Sequence, residues 1–189
     1  MINKIKKQLK GFTLIETLVA VLLLTTAIAG PLTVASKSLL AALVAKDQVT
    51  AFFLAQDAIE FVRFARDTNK LQGSDWLAGT GVDLSNYCEG ADGCYIDTLS
   101  ASVPTACLGA CPVLRYHTTN KHFTYGTGSD TIETIFRRTI NLATPVDGNN
   151  DEALLEVVVE WSNTAGTTGA GCSTGTRCVI VQENIFNWQ

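Results

Sequence analysis

A run of 19 residues, 12–30, holds a single ionisable side chain, Glu16. At 1.5 Å per residue a helix of that length covers roughly 28 Å, about the thickness of a bilayer's hydrocarbon core. Lys4, Lys6, Lys7 and Lys10 precede it with no acid among them. Such an asymmetry keeps the lysine-rich end cytoplasmic and sends the downstream chain across the membrane. Glu16 stands out against this background. A charge within a membrane helix costs about 2.5–3.5 kcal/mol on insertion scales, so a carboxylate there marks a functional position.

Three classes of segment share a basic start and an apolar centre. A cleaved secretory signal would use the small-residue triplet Ala27-Ile28-Ala29. A plain anchor would simply remain in the bilayer. Neither accounts for Glu16. The third class does: Lys10-Gly11-Phe12-Thr13-Leu14-Ile15-Glu16 resembles the processing site of type IV pilins and type II secretion pseudopilins.

That resemblance implies a defined course of events. A membrane-embedded prepilin peptidase cuts between Gly11 and Phe12 and N-methylates the new terminus at Phe12. The subunit waits in the inner membrane and then joins other pilin or pseudopilin subunits in a helical filament. Chemistry gives Glu16 a role there. Cutting creates a cationic amine on Phe12, and a buried amine and a buried carboxylate are each costly alone but tolerable as a pair. Glu16 of one subunit meeting the amine of a neighbouring Phe12 would set the axial register. Many relatives carry a proline at the twenty-second mature position, whereas Pro31 is here the twentieth. This leans toward a minor or pseudopilin subtype. Gly30 and Pro31 both weaken helices, so a kink or local melting is expected around residues 28–32.

Helical spacing resumes beyond Pro31. Ala51, Leu54, Ala55, Ala58, Phe61, Val62 and Ala65 fall on one face, with Lys46, Thr50, Asp57, Glu60, Arg63 and Asp67 on the polar side. Arg63 and Asp67 are spaced for an i,i+4 pair. Phe52, Phe53, Ile59 and Phe64 widen the apolar stripe beyond one face. Residues 56–63 also resemble the corresponding helix of PilV-type minor pilins. Asn69, Gly73 and Ser74 end the helix.

Residues 71–130 read as loops with short strands. His117 and His122 fall in this polar stretch as exposed side chains. Alternation becomes clear further on. Ile132, Phe136, Ile140 and Leu142 share one face of a strand interrupted by Thr134 and Arg138. In a second strand Leu155, Val157, Val159 and Trp161 point inward, with Glu156 and Glu160 outward. Residues 179–188 return as a further strand. The expected fold is α+β: a long N-terminal helix, half transmembrane and half amphipathic, on a C-terminal antiparallel sheet. The implied divisions are a leader (1–11), a membrane or filament-core helix (12–36), an amphipathic helix (37–70) and a globular head (71–189). The returning strand after Trp161-Ser162 is also a trait of PilV-type minor pilins and I-type pseudopilins.

All six cysteines, Cys88, Cys94, Cys107, Cys111, Cys172 and Cys178, lie beyond the apolar run, which suits an oxidising space on the far side of the membrane. Six cysteines allow 15 pairings. Local bridges Cys88–Cys94 and Cys107–Cys111 are the simplest, and residues 172–178 resemble a turn clamped by a short disulfide. Zinc is a weaker reading, because these spacings are not those of a knuckle and the two histidines add little. Asp147 to Glu152 places oxygen ligands at alternate positions but lacks the glycine and the final glutamate of a calcium loop, so a turn is expected. No metal and no cofactor are therefore expected.

The formal net charge is −4; without the four leader lysines the remainder carries −8. Such an acidic body argues against a broad nucleic-acid footprint. No nucleophile elbow, phosphate loop, HExxH or dinucleotide fingerprint is present, so the expectation is a non-enzyme. A filament subunit, cell-surface or periplasmic after assembly, is the leading reading. A membrane-anchored extracytoplasmic binding or adhesion protein with disulfide-rich loops is the alternative.

Overall fold

The computed structural model describes residues 11–79, 82–99, 103–146, 148–162, 172 and 177–187. The chain divides into two units, residues 1–46 and 47–189. Helix α1 (Leu14–Leu71) contributes to both.

In the first unit every large apolar side chain of the helix from Leu14 to Leu43 is exposed, Leu14 at 82% and Val19, the least, at 49%. This stretch is long and apolar enough to cross a membrane. The helix runs through residues 28–32 without interruption, so the expected melting does not occur. Pro31 removes only one backbone donor. Hydroxyls nearby add bonds to the helix: Thr33 donates to the Gly30 carbonyl at 2.7 Å, and Ser36 to that of Leu32 at 2.9 Å.

The second unit is built on the C-terminal half of α1. Ala51, Leu54, Ala55, Ala58, Phe61, Val62 and Ala65 are all buried, as their spacing requires. The alanines along this face pack in the same core as the sheet's buried side chains. The wide stripe resolves into two groups. Ile59 joins the core at 2% exposed, while Phe52, Phe53 and Phe64 stay in the open. The helix ends in a Schellman motif: Ser74 N–H donates to the Asn69 carbonyl and Gly73 N–H to that of Lys70, with Gly73 at φ 69°. Asn69 itself is fully buried, and its amide donates to the Trp76 and Val82 carbonyls. It holds the departing chain against the helix end.

Next comes α2 (Leu84–Cys88), capped by Asp83, which accepts from Asn86 N–H. Among the described residues seven strands follow: β1 (Cys94–Tyr95), β2 (Thr105–Ala106), β3 (Val113–His117), β4 (His122–Thr124), β5 (Thr131–Ala143), β6 (Glu152–Trp161) and β7 (Arg177–Phe186). All pairings are antiparallel. Strand β5 is the hub. It pairs with β6 from Phe136 to Ala143, with β3 over its first half and with β1 at Ile140; β7 continues the sheet beyond β6. A long helix on an antiparallel sheet is thus the observed α+β plan.

One face of the sheet, carrying Ile140, Leu142, Leu155, Val157 and Val159, shares a single core with the helix alanines. Each fully buried Leu, Ile or Val contributes about 1.5–3 kcal/mol. Two charged residues depart from expectation. Arg138 is 1% exposed and faces the helix; Glu160, expected outward, is 6% exposed on the other face. The Arg63–Asp67 pair does not form. Arg63 instead grips both carboxylate oxygens of Glu183 on β7 at 2.6 Å and also meets Glu60, while Asp67 pairs with Arg66. A bidentate carboxylate across the packing interface outcompetes a solvent-exposed helical neighbour.

Candidate functional site at the N-terminal segment

Gly11, Phe12 and Thr13 precede the first turn of α1, and Phe12 is 80% exposed. Gly11 has open space where a side chain would stand, so the backbone around the 11–12 peptide is unobstructed. Thr13 caps the helix. Its Oγ1 accepts from Glu16 N–H at 3.3 Å, and its carbonyl accepts from the N–H groups of Glu16 and Thr17. Thr13 carries a signal of its own, because Thr-x-x-Glu is the spacing of a helix start. Glu16 therefore sits in the first turn, exposed, at the end of the helix where the macrodipole favours a negative charge. The next polar groups, Thr17, Thr25 and Thr26, turn their hydroxyls onto carbonyls one turn back, so these hydroxyls are satisfied within the helix.

The chemistry available is positional rather than catalytic. An exposed peptide bond lies just outside a capped helix start. A carboxylate stands in the first turn, and an uninterrupted apolar surface extends beyond it.

Residues 6–30 match the family model of the prokaryotic N-terminal methylation motif. A motif of this kind is similar to the N-terminal segment of type IV pilins and pseudopilins, and it supports a relation to that family through residues 6–30. The match takes in Lys6, Lys7, Lys10, Gly11, Phe12, Glu16 and the apolar stretch to Gly30. No curated protein and no solved structure matches the chain significantly. Pilin-type segments of this kind serve peptidase processing and subunit assembly, and the family is generally structural rather than enzymatic. The apolar helix and the motif together anchor the N-terminus in a membrane.

The remaining residues singled out from sequence lie in the second unit. The cysteines pair locally, Cys88–Cys94, Cys107–Cys111 and Cys172–Cys178. The first bridge ties the end of α2 to the start of β1, and the third ties Cys172 to β7. His117 and His122 are not loop residues. They close the β3–β4 hairpin, directly paired, with ring centroids 5.1 Å apart. His117 Nδ1 accepts from Asn120 N–H, so the ring is held by the turn. Among the described residues no group of three or more His, Cys, Asp or Glu is arranged to hold a metal. Around the calcium-like spacing, Val146 and Asn149 bridge and Asn149 accepts from Asp151 N–H, which makes a turn; Asp147 lies outside the described residues.

Proposed function

We propose that this chain is a prepilin-like subunit, cut between Gly11 and Phe12, N-methylated at Phe12 and built into a type IV pilus or type II secretion pseudopilus as a minor subunit. The observation that carries this is the placement of Glu16 in the first turn of a helix whose large apolar side chains are all exposed between Leu14 and Leu43. A surface of that kind needs lipid before assembly and neighbouring helices after it. Once the bilayer is exchanged for a filament core, Glu16 needs a cationic partner. The amine that cutting creates on Phe12 of a neighbouring subunit supplies one.

The prepilin peptidase and the other subunits of the filament are then the partners. The N-terminus faces the cytoplasm and the head lies beyond the inner membrane. The PilV-type or I-type assignment rests on residues 56–63 and on the returning final strand. The cheapest test is Glu16→Ala in the native host. Cutting should proceed, while entry into sheared filaments should fall at least about tenfold. Normal incorporation of Glu16→Ala subunits would remove the ion pair from the scheme. Incorporation lost together with cutting would instead make Glu16 part of peptidase recognition.

A further inference from the structure

The second unit leaves an apolar groove open beside α1. Phe53 and Leu54 on the helix form one wall, with Asp57 a turn further on; Leu99 and Phe123 form the other. The groove encloses about 440 Å³, within the range of ligand pockets. Its walls are held in place. Phe123 meets Phe136 edge-on at 6.2 Å, and Thr98, beside Leu99, donates to Asp57 at 2.8 Å. Phe53 and Leu99 nevertheless stay 67% and 61% exposed. Large apolar side chains that face water together across one groove mark a docking surface.

The same chain carries a group that suits it. The Cys107–Cys111 bridge closes a short loop. Both cysteines are buried, and Gly109 N–H between them donates to Asp92 at 2.9 Å, so the loop is fixed at its ends and its middle. On it Leu108 is 96% exposed, and among the described residues no large apolar side chain is more so. A knob held rigid in this way gives up little conformational freedom on docking. The surrounding sequence suits contact rather than solvent. Between Asp97 and Arg115 no ionisable side chain occurs apart from the bridged cysteines, although the body of the chain is acidic. The cores of protein contacts are depleted in charge in the same way.

Placement decides the occupant. Ile140, Val157 and Val159 share the core with the helix, so by alternation Thr139 and Val158 lie on the opposite face of the sheet. Gly109 and Ala110 border that far face, whereas the groove lies on the helix side. Knob and groove therefore occupy opposite sides of one head. A helical filament repeats its subunit by rotation and rise, and contacts between equivalent neighbours are then heterologous, one face against a different one. We propose, on the filament reading given above, that Leu108 of one copy seats in the groove between Phe53 and Leu99 of a second copy. The subunit then stands in runs rather than singly.

Photo-crosslinking of the full-length chain in its native host tests this, with p-benzoylphenylalanine in place of the exposed Phe53. Irradiation should give a homodimer in which position 53 is joined to residues 103–111 of the second copy, as read by mass spectrometry. Leu108→Asp should lower the yield about tenfold or more, since it sets a carboxylate against apolar walls and Asp57. Leu108→Met, which keeps the volume, should leave the yield near that of the parent. Leu108 stands in the open, so neither change disturbs the core. The proposal is overturned if no homodimer forms, if position 53 joins a different protein, or if Leu108→Asp crosslinks as the parent does. Chains that begin at Phe12 yet give no dimer would sink this contact alone. A dimer of chains that begin at Met1 would keep the contact and remove the prepilin reading.

Discussion

Arg138 Nη1 lies 2.7 Å from Asp57 Oδ2, joining the middle of β5 to α1 across 81 residues of sequence. The same guanidinium donates to the Leu54 carbonyl at 2.9 Å and to the Ile96 carbonyl at 2.8 Å. One side chain thus fastens helix, sheet and the segment after β1. It is 1% exposed, whereas the Asp57 side chain is 50% exposed. The two ends of this contact therefore matter unequally. Arg138→Leu orphans buried carbonyls and should cost about 2–4 kcal/mol in urea unfolding. Asp57→Asn, whose partner keeps two other acceptors, should cost under about 1 kcal/mol. Equal losses for the two would mean that the ion pair, not the carbonyl bonds, carries the attachment.

Gly93 shows a second constraint. Its φ is 66°, and a Cβ there would stand 2.2 Å from Asn141 Oδ1 and 2.7 Å from the Ile140 carbonyl. The turn before β1 presses its backbone against β5, with Cys107 N–H donating to the Gly93 carbonyl. Gly93→Ala should destabilise by about 2–3 kcal/mol, since it adds overpacking to backbone strain. Gly109→Ala makes the control. Its φ is 83° with nothing within 4 Å, so strain alone should cost about 1 kcal/mol. Denaturant midpoints of the two variants measure the difference.

Glu160 gives the head a pH dependence of definite sign. Burial raises its folded pKa above the ordinary 4.5, opposed by the charge of Arg137. The folded state then holds a proton that the unfolded chain releases. Stability from this group is present below the unfolded pKa and is lost as pH rises through the folded one. Urea unfolding from about pH 4 upward should show wild-type stability falling relative to Glu160→Gln. A wild type that gains on Glu160→Gln over that window would reverse the sign.

Much of this architecture is legible in the sequence, for physical reasons that differ along the chain. The apolar run and the alanine-rich stripe announce themselves because burial follows helical spacing, and Leu155 to Trp161 do so through strict alternation. Short cysteine spacings favour local bridges, which is how the chain pairs them. Arg138 and Glu160 mislead for one reason: a charge reads as solvent-facing unless its partners are known, and those partners lie on other elements. Arg63 likewise finds Glu183, which no local spacing reveals. Pro31 is expected to kink or locally melt the helix, and the melting does not occur because a loss of one donor is small beside the continuous bonding around it. Thr13 is the reverse case, a cap whose Thr-x-x-Glu spacing lies within the motif itself.

The most direct measurement is the mass and N-terminal sequence of the mature subunit isolated from its native membrane. The chain should begin at Phe12 and carry one added methyl group on its amine. A mature chain beginning at Gly30, or an uncut chain beginning at Met1, would contradict the prepilin reading and leave Glu16 without the partner proposed for it.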